Sequence, residues 1–190
     1  MTLSKPIVLA SASPRRQELL RNAGIEFVVR PAGIDETPLP NEEPAAFAER
    51  MAREKARAAA VSGAHELILA ADTVVTIEGE ILGKPRDAED AARMLRRLSD
   101  HTHSVITGVC LLGSDFEDVR SEQTAVRFNR ISEAEIQDYA ASGEPIDKAG
   151  AYAIQGRASR WVSRVEGDYY NVVGLPVDLV WRMLRDHGEV

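Results

Sequence analysis

The sequence predicts an α/β protein in which a mixed, twisted sheet is flanked by helices. Short runs of apolar and β-branched residues alternate along the chain with amphipathic stretches of helical period, a pattern typical of layered strands and helices. Of the 190 residues, 44% are hydrophobic, which is enough to bury a full core. No repeat, low-complexity tract or linker interrupts the pattern, so residues 1–190 are expected to form a single domain.

The N-terminal half alternates strands and helices. Its first apolar run predicts a strand at 7–10, and the next helix has Ser13 as a good N-cap, Pro14 at its first position and Gly24 to end it. The elements that follow are a strand at 27–29, an acidic loop at 31–44, a helix at 43–62 ended by Gly63, and a buried strand at 67–71 that continues as 73–77 beyond Asp72.

The C-terminal half begins after a turn at 78–80. A helix is expected from Asp87, because its first turn carries the acids that the helix dipole favours. Residues 104–112 and 123–128 predict a long antiparallel pair, and residues 132–135 form a capping box. The remaining elements are a glycine-rich loop at 143–156 and a final amphipathic helix that begins at Pro176.

Composition and charge exclude several classes of function. A net charge of -7 at pH 7 argues against a general nucleic-acid-binding protein, which needs a basic face. No apolar run approaches the ~20 residues that span a bilayer, and the N-terminal apolar stretch is too short for a signal peptide. Cys110 is the only cysteine, and its apolar surroundings predict a buried, inert thiol. We therefore expect a cytoplasmic protein with no membrane or nucleic-acid partner.

The helix after the first strand has an unusual first turn. It carries Arg15 and Arg16, where the free N–H groups and the helix dipole already make the potential positive. Two cations at this position cost stability unless an anion binds there. The pattern favours a phosphate site at the helix N-terminus, and two solvated surface arginines are the alternative.

Asp72 interrupts about ten apolar or β-favouring residues. A lone carboxylate in such a strand faces severe desolvation, so it must be paired, hydrogen-bonded or bound to a metal. A carboxylate at a strand end can hold a hard cation or take a proton from attacking water. The alternative is a turn or bulge aspartate, which is favoured if the strand ends at Ala71.

Three lysines are further candidates. Lys55 shares the apolar stripe of its helix with Phe47 and Met51; its ammonium is expected either to snorkel to solvent or to point into a cleft. Lys84 lacks the glycine spacing and the Ser/Thr of a P-loop, which leaves a lone cation on a rigid loop or a surface lysine. Lys148 follows an acid in the glycine-rich loop, where the ammonium is either held toward a ligand or exposed in a turn.

Several short motifs together resemble the Maf family of nucleoside triphosphate pyrophosphatases. They occur in the family's order over almost the whole chain and are Ser11-x-Ser13-Pro14-Arg15-Arg16, Ala71–Thr73, Gly83–Pro85, Asp147–Tyr152, Gln155–Gly156 and Val172–Pro176. The resemblance implies an inosine-triphosphatase-like fold, in which two lobes surround a central cleft. It also implies a nucleoside triphosphate substrate, and because members are often dimers it makes a homodimer an option.

The resemblance also assigns site residues. Asp72 stands at the position of the family's proton acceptor, and Glu36 resembles its acidic position after the second strand. Both are candidates to hold a divalent cation, Mg²⁺ or Mn²⁺, because magnesium is usually bound by one or two carboxylates plus substrate phosphates. The expected substrate-binding residues are Ser11, Arg15, Arg16, Lys55, Thr73, Lys84, Lys148 and Gln155.

The reaction implied by the resemblance is hydrolysis between the α and β phosphates, which yields a nucleoside monophosphate and pyrophosphate and limits incorporation of non-standard nucleotides. Residues 149–156 resemble the branch that acts on dTTP and UTP, and the Gln155 amide can match the imide edge of uracil or thymine. Ala153 and the segment 168–170 depart from the commoner pattern, so 5-methyl-UTP and pseudo-UTP remain candidates. The alternatives are a 7-methyl-GTP pyrophosphatase and a regulator of septum formation that acts by binding.

Overall fold

The computed structural model describes residues 6–61 and 65–190. Its strands are β1 (Ile7–Leu9), β2 (Phe27–Val29), β3 (Ile68–Ile77), β4 (Glu80–Leu82), β5 (Thr102–Leu112), β6 (Glu117–Phe128) and β7 (Val162–Glu166). Its helices are α1 (Pro14–Asn22), α2 (Pro44–Ala59), α3 (Ala88–Leu98), α4 (Glu133–Ala141), α5 (Tyr169–Val173) and α6 (Val177–Asp186). Two short 3₁₀ segments, Ala149–Ala151 and Arg157–Trp161, lie between α4 and β7.

The seven strands of the described residues form one mixed sheet. Its order is β2-β1-β3-β5-β6-β7, and β4 pairs with β3 outside this path. β1 is parallel to β2 and β3, whereas the other pairs are antiparallel. The predicted mixed sheet flanked by helices is therefore confirmed.

One edge of β3 changes partner near the middle of the strand. β1 pairs with it as far as Leu69, and β4 begins to pair with it only at Val75. The other edge is covered by β5 throughout the range Ile68–Thr76. Asp72 and Thr73 therefore lie in a gap between two partner strands, where chain segments from both faces of the sheet can reach them.

Side-chain alternation along β3 and β5 separates two packed faces. On one face, α2 packs its buried side against Val74, Ile106 and Cys110. The other face carries the larger part of the core, which includes apolar side chains of α1, α3 and α6. Burial raises the pKa of the Cys110 thiol to about 12, which confirms the predicted inert cysteine. No helix within the two described ranges has the length and apolar character needed to cross a membrane.

Several boundaries differ from those predicted. β3 runs through Asp72 and pairs there with β5 in regular register, so the interpretation of this residue as a turn or bulge aspartate is wrong. β6 begins at Glu117 instead of 123, because its first half is polar and only partly buried and so shows no apolar alternation. β4, β7 and α5 are short elements that the sequence did not reveal. α2 ends at Ala59, and the predicted stop at Gly63 lies outside the described residues.

Candidate active site

A cleft of about 430 Å³ opens at the gap along β3. Its walls come from both faces of the sheet and from segments far apart in the chain. All the residues predicted from the sequence to bind substrate or metal line this cleft except Gln155, and they are Ser11, Arg15, Arg16, Glu36, Lys55, Asp72, Thr73, Lys84 and Lys148.

Glu36, Lys55 and Asp72 form an ionic cluster, here called the Lys55 triad, on the α2 side of the cleft. The Lys55 ammonium nitrogen lies 2.6 Å from Oδ1 of Asp72 and 2.7 Å from Oε1 of Glu36. The side chains of Lys55 and Asp72 are only 11% and 14% exposed, so water screens their attraction weakly. The snorkelling interpretation of Lys55 is therefore wrong, because its ammonium points into the cleft.

Glu36 lies between two cations. Burial raises the pKa of its carboxyl, but hydrogen bonds and charge from Lys55 and Lys84 outweigh this effect and hold the pKa below its usual value. Lys84 approaches the second carboxylate oxygen of Glu36 at 3.5 Å, and its side chain is 61% exposed. Glu36 is therefore ionised at neutral pH, and Lys84 retains room to move toward a ligand.

The N-terminus of α1 opens on the cleft. The Ser13 hydroxyl accepts a hydrogen bond from the backbone N–H of Arg16, and Pro14 takes the first helical position. Both details are as predicted. No acid occupies the first turn of α1, and the side chain of Arg15 lies on the cleft wall.

Arg16 is held by the protein itself. Its guanidinium donates to the Oγ of Ser11 at 3.2 Å, to the Oγ1 of Thr73 at 3.1 Å and to the carbonyl oxygen of Gly174 at 2.8 Å. Burial lowers the pKa of Arg16, and the nearby Asp72 charge opposes that effect. Three of its five N–H donors are thus used within the chain. Arg16 joins α1 to β3 and to the segment after α5.

Thr73 continues this network into the sheet. Its hydroxyl pairs with that of Thr107 on β5 at 2.9 Å, and Thr107 donates to the backbone carbonyl of Asn171 in α5 at 3.2 Å. The side-chain amide of Asn171 in turn donates to the carbonyl oxygen of Val105 at 3.0 Å. The cleft wall formed by α5 is therefore anchored to β5 by two buried hydrogen bonds.

Lys148 is fixed by its own loop. Its ammonium lies 2.5 Å from a carboxylate oxygen of Asp147 and 2.7 Å from a backbone carbonyl oxygen. The side chain is only 13% exposed, so the interpretation of Lys148 as an exposed turn residue is wrong. The N–H of Gly150 donates to the carbonyl of Gly83, which ties the Lys148 loop to the Lys84 loop.

Comparison with known proteins places the chain in a family. Residues 6–187 match the profile of the family described as Maf-like protein. The chain belongs to the Maf family. The resemblance seen in its short motifs is thereby confirmed.

Curated relatives match this Maf chain over nearly its whole length. A protein of Koribacter versatilis (strain Ellin345) is 53% identical, with 98% of this chain and 96% of the relative covered. A protein of Symbiobacterium thermophilum is 50% identical, with 96% and 94% covered, and one of Geobacter sp. (strain M21) is 52% identical, with 97% and 96% covered. All three relatives are named dTTP/UTP pyrophosphatase.

Gln155 of this Maf protein does not join the other predicted residues. It is exposed and lies in the turn just before the 3₁₀ segment Arg157–Trp161, outside the cleft lining. Its role in substrate binding stays a prediction.

Sequence reasoning missed an apolar wall on the Thr73 side of the Maf cleft. The wall is formed by Val75, Val105, Tyr152, Val172 and Val173. Val75 on β3 and Val105 on β5 are paired across the two strands. Because side chains alternate between the two faces of a strand, both could have been placed on the same face as Thr73. A flat ring with little charge fits such a surface.

Tyr152 is supported from beneath by a buried histidine. Its hydroxyl pairs with Nε2 of His103 at 2.8 Å, and the two rings meet edge to face. Burial lowers the pKa of His103 to about 4, so the imidazole is neutral at physiological pH. The pair gives the apolar wall a rigid base without adding charge.

The two carboxylates of the Lys55 triad fit a Mg²⁺-type donor set. Such a cation is usually held by one or two carboxylates, and water and substrate phosphates complete its octahedron. Asp72 and Glu36 supply these oxygens at the mouth of a cationic cleft. Within residues 6–61 and 65–190, no three His, Cys, Asp or Glu side chains come together as a closed metal cage.

Proposed function

We propose that this Maf protein is a nucleoside triphosphate pyrophosphatase that hydrolyses dTTP and UTP to the nucleoside monophosphate and pyrophosphate. The observation that carries the proposal is the meeting of a largely buried carboxylate, Asp72, with several cationic side chains in one cleft. Relatives that are 50% to 53% identical are named dTTP/UTP pyrophosphatase, which supports the same substrates. They favour neither the 7-methyl-GTP alternative nor a purely regulatory role.

The cations of the cleft would bind the triphosphate. The free N–H groups of α1 and the Arg15 side chain form an anion site at one end, and Lys84 and Lys148 approach from the two joined loops. Cations held in place before the reaction stabilise charge that develops on the leaving pyrophosphate. Arg16 would act mainly by fixing this end of α1, because most of its donors already bind the protein.

Asp72 would take a proton from the water that attacks the α-phosphorus. A new bond forms from the water oxygen to phosphorus, the bond to the bridging oxygen breaks, and pyrophosphate leaves with that oxygen. A divalent cation bound by Asp72 and Glu36 would supply charge neutralisation and water activation. In the free protein the Lys55 ammonium lies 2.6 Å from Oδ1 of Asp72 and holds this carboxylate at the cleft.

The apolar wall would receive the base. Val75, Val105 and Tyr152 offer contact surface for a pyrimidine ring, and the hydroxyl of Thr73 lies at the border between this wall and the cationic side. The departures at Ala153 and at residues 168–170 keep 5-methyl-UTP and pseudo-UTP in the set of substrates to be tested.

A substrate panel with Mg²⁺ tests the function. Purified protein is expected to release equal amounts of pyrophosphate and nucleoside monophosphate from dTTP and UTP, with no orthophosphate. Asp72→Asn should lower kcat by about 10²–10⁴-fold, the usual contribution of a positioned base. Release of orthophosphate alone, or a preference for 7-methyl-GTP over dTTP and UTP, would contradict the proposal.

A cytoplasmic location and a homodimer accompany this proposal. Nucleoside triphosphates are cytoplasmic metabolites, and the Maf resemblance implies members that pair. Sedimentation of the purified full chain is expected to give twice the mass of one chain, and a single-chain mass would exclude the dimer.

A further inference from the structure

Lys55 holds both carboxylates that are candidates to bind a divalent cation. Its single nitrogen lies 2.6 Å from an oxygen of Asp72 and 2.7 Å from an oxygen of Glu36. Because an ammonium has three N–H donors, one lysine satisfies both acids at once. A carboxylate removed from water needs such a partner, and within the described residues Lys55 is the only cation in hydrogen-bonding contact with Asp72.

We propose that Lys55 is an exchangeable internal cation, which occupies the space between Glu36 and Asp72 in the free protein and yields it to a divalent metal when nucleotide binds. The inference rests on the proposed function and adds to it the order and cooperativity of ligand binding.

The geometry makes the two cations competitors. A metal bound to the same oxygens of Asp72 and Glu36 would take the contacts that the Lys55 nitrogen now makes. A metal ion and the Lys55 ammonium beside the same two carboxylates would repel each other, and this repulsion is strong where little water screens it. The Lys55 side chain is 11% exposed, so its charge has little access to solvent screening.

Nucleotide would relieve the competition. The four-carbon stem of a lysine is flexible, and the Lys55 side chain lines the same cleft as Arg15, Lys84 and Lys148. The triphosphate brings several negative charges into that cleft, so the ammonium can exchange a carboxylate partner for a phosphate partner. Since coupling between two ligands is reciprocal, nucleotide should strengthen metal binding and metal should strengthen nucleotide binding.

Binding of Mn²⁺ alone tests the competition without any turnover. Free Mn²⁺ is measured by electron paramagnetic resonance during titration of the full chain. Lys55→Gln removes the competing charge, and Mn²⁺ affinity should rise about tenfold or more, in line with the strength of a charge-assisted hydrogen bond. Lys55→Arg keeps a cation there and should leave the affinity low. If Lys55→Gln does not fold, as judged by circular dichroism, Lys55→Met in the same titration decides the question.

Lys84→Gln is the matched control. It removes one positive charge at 3.5 Å from the other oxygen of Glu36 and has no hydrogen bond to Asp72 within the described parts of the chain. Its effect on Mn²⁺ affinity should stay below about threefold, as is typical of an exposed ion pair. Adding Glu36→Gln to Lys55→Gln should abolish the gain, which locates the metal at the Lys55 triad.

Two results would overturn the proposal. Unchanged or lower Mn²⁺ affinity in Lys55→Gln would mean that Lys55 positions the carboxylates for the metal. An equal gain in Lys84→Gln would mean a general charge effect.

A dTTP analogue with a methylene group between the α and β phosphates tests the cooperativity. The analogue should raise the Mn²⁺ affinity of the unaltered protein more than that of Lys55→Gln, and an equal rise in both would contradict the exchange. Failure to hydrolyse dTTP and UTP would reject the proposed function, whereas the titration with Mn²⁺ alone would still report on the competition.

Discussion

Arg15 and Arg16 are adjacent in the chain but have different surroundings. Arg16 is hydrogen-bonded to Ser11, Thr73 and Gly174, whereas Arg15 lines the cleft. Their pattern in the sequence correctly indicated an unusual helix N-terminus. It could not divide the roles, because Gly174 lies 158 residues away along the chain.

His103 should make the stability of the folded protein depend on pH. Burial lowers its pKa to about 4, below the ordinary value of about 6.5. Between these values the unfolded chain binds a proton that the folded chain does not. The free energy of unfolding is therefore unaffected by protonation of His103 above about pH 6.5. It decreases as the pH falls toward 4, by up to about 1.4 kcal/mol per pH unit.

Replacement of His103 isolates this effect. His103→Gln retains a side chain that can hydrogen-bond Tyr152 but cannot titrate. The slope of the unfolding free energy against pH, from urea denaturation, should become shallower by about 1 kcal/mol per unit in that window. His101→Gln, at an exposed position, is the control and should leave the slope unchanged. Identical slopes for His103→Gln and the unaltered protein would contradict the prediction.

The helix α2 reaches Asp72 because it lies very close to the sheet. A Cβ at Gly108, which pairs with Asp72 across β3 and β5, would stand 2.3 Å from the backbone of Ala48 on α2. Lys55 follows Ala48 by two helical turns on the same side of the helix. Because Gly108 has no side chain, α2 can lie close to β5, and this short distance between helix and sheet places Lys55 near Asp72.

Gly108→Ala should displace α2. We expect a loss of about 1–3 kcal/mol of unfolding free energy from overpacking, together with reduced turnover because Lys55 moves relative to Asp72. Gly33→Ala is the control, since a Cβ there meets no atom within 4 Å, and its effect should stay within about 0.5 kcal/mol. Urea denaturation measures the unfolding free energy of both variants. Equal values would show that α2 can move away from residue 108 without loss of stability.

The whole molecule combines an acidic surface with a cationic cleft. The net charge is -7, yet Arg15, Lys84 and Lys148 converge beside Asp72. A cleft with low-dielectric walls focuses the field of such charges and raises the local concentration of an anionic ligand. Local convergence thus reconciles an acidic protein with a polyanionic substrate.

Substrate binding should weaken with salt. Raising NaCl from about 0.05 to 0.5 M shortens the screening length severalfold, so KM for dTTP should rise while the thermal midpoint changes little. Arg15→Gln removes one cation from the cleft and should give a shallower dependence of log KM on log salt. The same slope in both proteins would mean that Arg15 does not face the triphosphate.

Short-range rules account for what the sequence revealed. The caps at Ser13 and Ser132 bind the backbone N–H groups of nearby residues, so composition over a few positions is sufficient to predict them. The apolar run around Asp72 already signalled a carboxylate in need of a partner. The motifs that resemble the Maf family contain seven of the nine predicted residues that line the cleft, and the other two are Lys55 and Glu36. The α/β class followed from the alternation of strand and helix periods.

Long-range contacts account for what the sequence left open. The gap between β1 and β4 places Asp72 at the cleft, the position of α2 brings Lys55 to it, and the loop before α2 brings Glu36 to Lys55. The apolar wall assembles from four separate segments, and the turn that carries Gln155 lies outside the cleft lining. Such contacts depend on strand order and loop paths, which couple residues of high sequence separation and leave no local pattern. Three-dimensional packing alone therefore established that Lys55 contacts both acids, while the chain's own patterns established which chemical groups were available.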